Sequence, residues 1–233
     1  MTLGILTLDT PFPRVRGDVG CAETFPFPVS LSAVCSDADD DVVHRRESAL
    51  LPRFIAAGRA LVEEGCAGIT TTVSFLARWQ RQMTEALPVP VLTTPLLQIG
   101  LIERCLPHGL VVGVVTNSAA DITPDALSAA GANSYAPIEG LDPAGYFGRT
   151  MRHGAATLER TRMADDVVAA ARRLVGAHHK VGAIVLECAS MPPYRDEVEA
   201  AIGLPVFDAA QLITWFHQGL AGTTPRYGRR NLW

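Results

Sequence analysis

The run Val185-Leu186-Glu187-Cys188-Ala189-Ser190-Met191-Pro192-Pro193-Tyr194 decides how the rest of the chain is read. It closes an apolar stretch, Val181 to Leu186, with the length of a buried strand, and a helix start is expected directly after the cysteine. In a parallel α/β sheet the carboxyl end of a strand faces the ligand crevice. The first amides of the following helix point at any negative charge there. That field is expected to lower the pKa of the Cys188 thiol toward the thiolate form, which takes a proton or attacks carbon. Its Sγ is expected to be accessible at the mouth of a cleft. A buried structural cysteine is the competing reading, because free cysteines are among the most buried residues.

The same unit of short apolar strand, hydroxyl-rich turn and helix recurs outward from this point. Leu3 to Leu8 ends at Asp9-Thr10, Ala67 to Thr70 runs into Thr71-Thr72, Val89 to Leu92 stops at Thr93-Thr94, and Leu110 to Val115 ends at Thr116-Asn117-Ser118. A short strand is expected near Asn133 to Ala136 and a last one from Leu204 to Phe207. Helical periodicity covers Glu47 to Glu64, Leu96 to Cys105, Asp121 to Ala130, Ala164 to Ala177 and Leu212 to Leu220. Strands alternating with helices mean a parallel sheet covered on both faces. The Pro- and Gly-rich segment from Thr10 to Pro28 reads as a long packed loop over the site, and the stretch between Ala136 and Ala164 as irregular.

Composition narrows the function. Of the 233 residues 48% are hydrophobic and the net charge is −4, which fits a globular protein with no basic stripe for nucleic acid. No apolar run reaches membrane-spanning length, so no membrane partner is expected. Lys180 is the only lysine, and it leaves no other candidate for Schiff-base chemistry. The N-terminal Met1 to Leu6 reads as a first strand rather than a signal peptide. Five scattered cysteines without a Cys-x-x-Cys pair or a histidine at ligand spacing argue against a metal site and for a reducing cytoplasm. The tail from Gly222 to Trp233, with Arg226, Arg229 and Arg230, reads as frayed or lying on a second subunit, and a homodimer or higher homo-oligomer is expected.

Five hydroxyl clusters in register on strand ends make a cup for a small carboxylate, although each alone is an ordinary helix cap. The acidic run Asp37 to Asp41 beside His44 reads as a solvated helix start rather than a cation site. Ser74 lacks the flanks of a nucleophile elbow, and His217 reads as a satisfied histidine on the closing helix.

Asp9-Thr10 with Phe12-Pro13-Arg14, Gly17-Asp18, Ile69-Thr70-Thr71, Phe75-Leu76, Leu96-Leu97-Gln98 and the block from Glu187-Cys188 to Pro192-Pro193-Tyr194 resemble the aspartate/glutamate racemase superfamily. The resemblance implies a cofactor-independent enzyme, free of pyridoxal phosphate, built from two similar Rossmann-like α/β lobes. Each lobe would be a parallel sheet flanked by helices, with a small carboxylate or amino acid held between them. The first lobe would comprise residues 1–97 and 208–233, the second 98–207. One cysteine from each lobe would handle the α-proton on opposite faces of the reacting carbon. The second-lobe cysteine matches Cys188, and the substrate loops match Asp9, Thr10, Arg14, Thr70 to Thr72, Thr116 and Asn117.

The first-lobe cysteine is replaced by Val73, within Thr72-Val73-Ser74, and Ala189-Ser190 stands where Thr-Asn is more usual. Valine can neither take nor give a proton. Three readings follow: proton transfer at the α-carbon with Cys188 on one face and Thr72, Ser74, Asp9 or water on the other; a one-cysteine lyase acting by decarboxylation or β-elimination; or an inactive binder of a small acid.

Overall fold

The computed structural model describes residues 1–35, 47–132, 136–155 and 157–220. The acidic run with His44 and the arginine-containing tail lie outside the described residues. Within them the chain forms β1 (Leu3–Leu8), β2 (Val29–Val34), α1 (Glu47–Glu63), β3 (Ile69–Thr71), α2 (Gln80–Ala86), β4 (Val91–Leu92), α3 (Ile99–Cys105) and β5 (Val111–Thr116). It continues with α4 (Pro124–Ala129), β6 (Ile138–Gly140), α5 (Tyr146–His153), α6 (Arg160–Ala177), β7 (Val181–Leu186), α7 (Arg195–Ile202), β8 (Val206–Asp208) and α8 (Ala209–Leu220).

The strands make two four-stranded sheets, ordered β2-β1-β3-β4 and β6-β5-β7-β8, and every pairing is parallel. Both sheets thus have the order second, first, third, fourth, and helices cover both faces of each. Phe54, Leu61 and Met83 of α1 and α2 pack on one face of the first sheet; Leu212 and Ile213 of α8 pack on the other with Leu3 and Ile5. In the second sheet, Phe147, Val167, Leu174 and Val198 from α5, α6 and α7 cover Val115 and Ile184. Its opposite face is covered by Ile99, Ile102 and Leu127 from α3 and α4. β7 is buried along its whole length, which explains its unbroken apolar sequence.

The lobes are stitched together by exchanged side chains. Phe12, from the loop after β1, sits in the second lobe's core and stacks on Phe147 with ring centroids 6.1 Å apart. Ala189, from the turn after β7, sits in the first lobe's core with Leu3, Ile5 and Val19. The same loop touches the proline block: Gly17 has φ +104°, and a Cβ there would lie 3.0 Å from Pro193 Cγ, so both backbone and space demand glycine.

Several elements differ from the sequence expectation. β2 occupies part of what reads as featureless chain. Val29, Leu31 and Ala33 alternate with Ser30 and Ser32 directly after the Pro-rich loop, and on this edge strand Leu31 and Ala33 are exposed while the serines are half-buried. The strand expected near 133–136 lies at Ile138–Gly140 (residues 133–135 are outside the described set), and α5 forms inside the stretch expected to be irregular. No helix starts directly after Cys188. A turn and a 3-10 segment at Pro192–Tyr194 intervene before α7 begins at Arg195. Pro192 and Pro193 lack amide hydrogens, and the segment closes as a single 3-10 turn before the α-helix begins. Among the described residues no helix is long and apolar enough to cross a membrane.

Candidate active site

Past Leu186 the chain turns, and its next two side chains go separate ways. Glu187 is 2% exposed, and its Oε2 accepts hydrogen bonds from Thr116 Oγ1 at 2.8 Å and Ser74 Oγ at 3.1 Å. Thr116 ends β5 of the second sheet and Ser74 begins the 3-10 segment after β3 of the first, so one carboxylate oxygen joins the two lobes. Glu187 Oε1 has no hydrogen-bond partner among the described residues. Burial pushes the Glu187 carboxyl above the ordinary carboxylate range. The two hydroxyl bonds oppose that shift, and the negative charge of Asp121 adds to it.

Glu187 borders a tight cavity between the lobes, whose wall also contains Thr71, Thr72, Val73, Ser74 and Thr93. Its free space is about 10 Å³, room for roughly one water-sized body. The lobes must therefore part to admit a larger molecule. A larger apolar groove, lined by Leu97, Leu101, Phe207, Leu212, Trp215 and Phe216, lies elsewhere and offers no titratable side chain among the described residues.

Cys188 belongs to the apolar cluster that holds Phe12, Met191 and Tyr194. It is 6% exposed, and burial pushes its thiol up to about 12, with the neighbouring Glu187 charge acting in the same direction. The Ser190 amide and Arg14 pull the other way, more weakly. Beside it, Arg14 Nη1 donates to Ser190 Oγ at 3.0 Å and pairs with Asp18 at 3.2 Å. Asp18 is fully buried and accepts the Gly20 amide at 2.6 Å. The Arg14 side chain keeps 23% exposure, enough to leave part of the guanidinium open to an anion. Val19 N donates to Ala189 O at 3.0 Å, which fixes the loop to the turn after Cys188.

Dimethylsulfoniopropionate lyase 3 of Emiliania huxleyi (strain CCMP1516) is 30% identical to this chain over 99% of it, and the chain spans 62% of that relative's length. The structure of arylmalonate decarboxylase superposes with a TM-score of 0.60 at 21% identity, covering 98% of both chains. Glutamate racemase from Aquifex pyrophilus superposes with a TM-score of 0.56 at 12% identity, covering 94% of this chain and 83% of that one. The chain shares the two-lobed α/β fold of these two enzymes. No family model matches the chain.

Within this racemase fold, the residues singled out in the sequence fall into three groups. Thr71, Thr72, Val73, Ser74 and Ala189 stand in the cavity wall, and Thr116 reaches it through Glu187. Arg14, Ser190 and Cys188 gather on the other side of the Glu187-Cys188 turn. Asp9, Thr10 and Thr70 stand apart. The first two are exposed, with Cys35 Sγ donating to Asp9 Oδ2 at 3.9 Å, and Thr70 Oγ1 donates to Leu92 O inside the first sheet. Asn117 Oδ1 is buried with no partner among the described residues.

Two expectations for Cys188 are corrected: its thiol is buried rather than accessible, and its pKa is raised rather than lowered. The cause is the late helix. With α7 starting at Arg195, no helical amides point at Sγ, and desolvation dominates. Cys66 is buried in the first lobe's core among Phe54 and Leu61, and it brings no thiol to the cavity. His217 stacks on Phe27 with centroids 3.7 Å apart, its Nε2 lying 3.0 Å from Met1 O, as a satisfied core histidine would. Sequence reasoning missed Glu187 and Asp18 as site residues. The signal was a carboxylate placed directly between an apolar strand and a cysteine. Among the described residues no group of three or more His, Cys, Asp or Glu side chains could hold a metal.

Proposed function

We propose that this chain is a cofactor-independent enzyme that forms a carbanion beside the carboxylate of a small acid and completes the reaction by β-elimination. The observation that carries the reading is the asymmetry of the cup. The first lobe contributes hydroxyls and the inert Val73, and the second contributes Glu187, with Cys188 on the opposite side of the same turn. With no thiol opposite Cys188, two-thiol racemisation is not available. Elimination needs a base on one face only. Similarity to a dimethylsulfoniopropionate lyase across nearly the whole chain supports the same conclusion, and a small acid with a leaving group on its β-carbon is the proposed substrate class.

In this reading Arg14, Thr72, Thr116, Asn117 and Ser190 hold the carboxylate, and Cys188 acts as a protonated thiol that donates to the developing enolate. Its raised pKa keeps that proton in place. Residues 1–97 with 208–233, and residues 98–207, are the proposed lobes that close on the substrate. The cysteines are free, which supports a reducing compartment such as the cytoplasm.

Return of the proton to the α-carbon, a racemase-like outcome, is the second reading, favoured by the fold shared with glutamate racemase. Proton NMR in deuterated water separates the two. With dimethylsulfoniopropionate, vinyl resonances of acrylate are expected. Deuterium at the α-carbon of remaining acid without vinyl signals selects the second reading. Neither elimination nor exchange, on this substrate and on a panel of amino acids, overturns both.

A further inference from the structure

We propose that Glu187 is the base of this site, its Oε1 taking the proton from the carbon beside the substrate carboxylate on the Val73 side of the cup. The inference rests on the carbanion chemistry proposed above and assigns the group that begins it. Glu187 is the only ionisable side chain in the cavity wall among the described residues; the rest of the wall is hydroxyl or apolar. Its Oε2 is immobilised from both lobes, by Ser74 and Thr116, while its Oε1 is buried and unpartnered. A buried carboxylate held permanently charged would be paired with a cation, because an uncompensated buried charge is destabilising, whereas a carboxyl that exchanges a proton need not be. Here both donors are neutral hydroxyls. The ionisable groups facing Glu187 are Asp121, on the turn after β5, and Cys188 on its own turn. Burial and Asp121 both strengthen its hold on a proton.

Ser74 stands next to Val73 in sequence, so its hydrogen bond draws the second lobe's carboxylate to the side where the first-lobe thiol is missing. The proton moves from the α-carbon to Oε1. The electron pair of the broken C–H bond becomes the second bond between the α- and β-carbons as the bond from the β-carbon to the leaving group breaks. The leaving group departs with that bond's pair, and Glu187 returns its proton to water when the lobes part.

The test compares wild type with Glu187→Gln and Glu187→Asp on dimethylsulfoniopropionate between about pH 5 and about pH 9. Expected for Glu187→Gln is a fall in kcat of roughly a hundredfold or more, the size of general-base assistance, with KM within about threefold and the acid limb of the kcat/KM profile gone. Glu187→Asp is expected to keep that limb at an intermediate kcat. An unchanged kcat, or a rise in KM alone, would overturn the assignment and make Glu187 a binding group for a cationic substrate end.

If the wild type neither eliminates nor exchanges, the carbanion reading fails and infrared titration decides on Glu187 separately. A protonated-carboxyl band that persists above the ordinary glutamate range, is absent from Glu187→Gln and shifts on adding acrylate supports the assignment. Absence of the band, or indifference to acrylate, overturns it.

Discussion

In the first sheet, β3 carries Thr70 and Thr71 and runs out into Thr72 and Val73, and the polar groups there are largely tied up locally. Thr70 donates to Leu92 O, and Thr71 Oγ1 accepts the Val73 amide at 3.0 Å. In the second sheet, with the same strand order, β7 runs out into Glu187 and Cys188, two titratable groups both pushed toward their protonated forms by burial. One scaffold used twice has thus divided the labour. In the proposed reading the first lobe supplies hydroxyl donors and a wall, and the second the groups that exchange protons.

The largest effect that could break this comparison concerns the thiols. Raising Cys188 from 9.0 to about 12 leaves about a thousandfold less thiolate at pH 8 than an unperturbed cysteine has. Iodoacetamide labelling followed by peptide mapping should therefore modify the exposed Cys35 and Cys105 first and Cys188 last. Early modification of Cys188 would mean that its side of the turn is neither buried nor charge-averse.

Next in size is a pair of substitutions, one in each lobe. Cys188→Ala should lower turnover about a hundredfold by removing the donor. Val73→Cys, which replaces a buried valine by a smaller side chain, should hold elimination within about threefold of wild type and add inversion of an amino acid's chiral α-carbon, detectable by chiral chromatography. Near wild-type turnover in Cys188→Ala would remove the second lobe's thiol from the chemistry.

The smallest effect is on stability. Because the native Glu187 carboxyl titrates above 4.5, the folded state holds its proton longer than the unfolded chain does. Stability is then lost as pH rises from that value through the native pKa. Glu187→Gln escapes this loss. Its melting temperature relative to wild type should rise between about pH 5 and about pH 8. Asp18 and Asp208, also raised by burial, are common to both proteins and cancel. A difference that does not change with pH would mean that Glu187 is ionised throughout.

How much of this was legible in the sequence depends on how local each fact is. β1, β5 and β7 announce themselves because parallel strands buried on both faces read as continuous apolar runs. β2 hides because an edge strand alternates, and Ser30 and Ser32 look like loop residues beside a proline-rich segment. The hydroxyl clusters are visible, but which of them face the cavity is not. Thr70 and Thr71 are adjacent and serve different neighbours. Glu187 was least legible. Its donors lie 113 and 71 residues away in the chain, so its burial and its idle oxygen exist only after both lobes have folded and met. The Cys188 microenvironment failed for a single local reason: Pro192 and Pro193 postpone the helix whose amides would have favoured the thiolate.

The turn after β7 belongs to the second lobe by sequence and to the first by packing, because Ala189 lies among Leu3 and Ile5 and its carbonyl holds the Val19 amide. Any opening wide enough for a substrate must either strip Ala189 from that core or swing about it. If it swings, the turn becomes the pivot of the motion rather than its moving edge. Cys188 and Ser190, close to that axis, then travel little, while the Ser74–Glu187 bond, which ties one lobe to the other, must break for them to part. The state of one hydrogen bond would thereby report whether the molecule is open or shut.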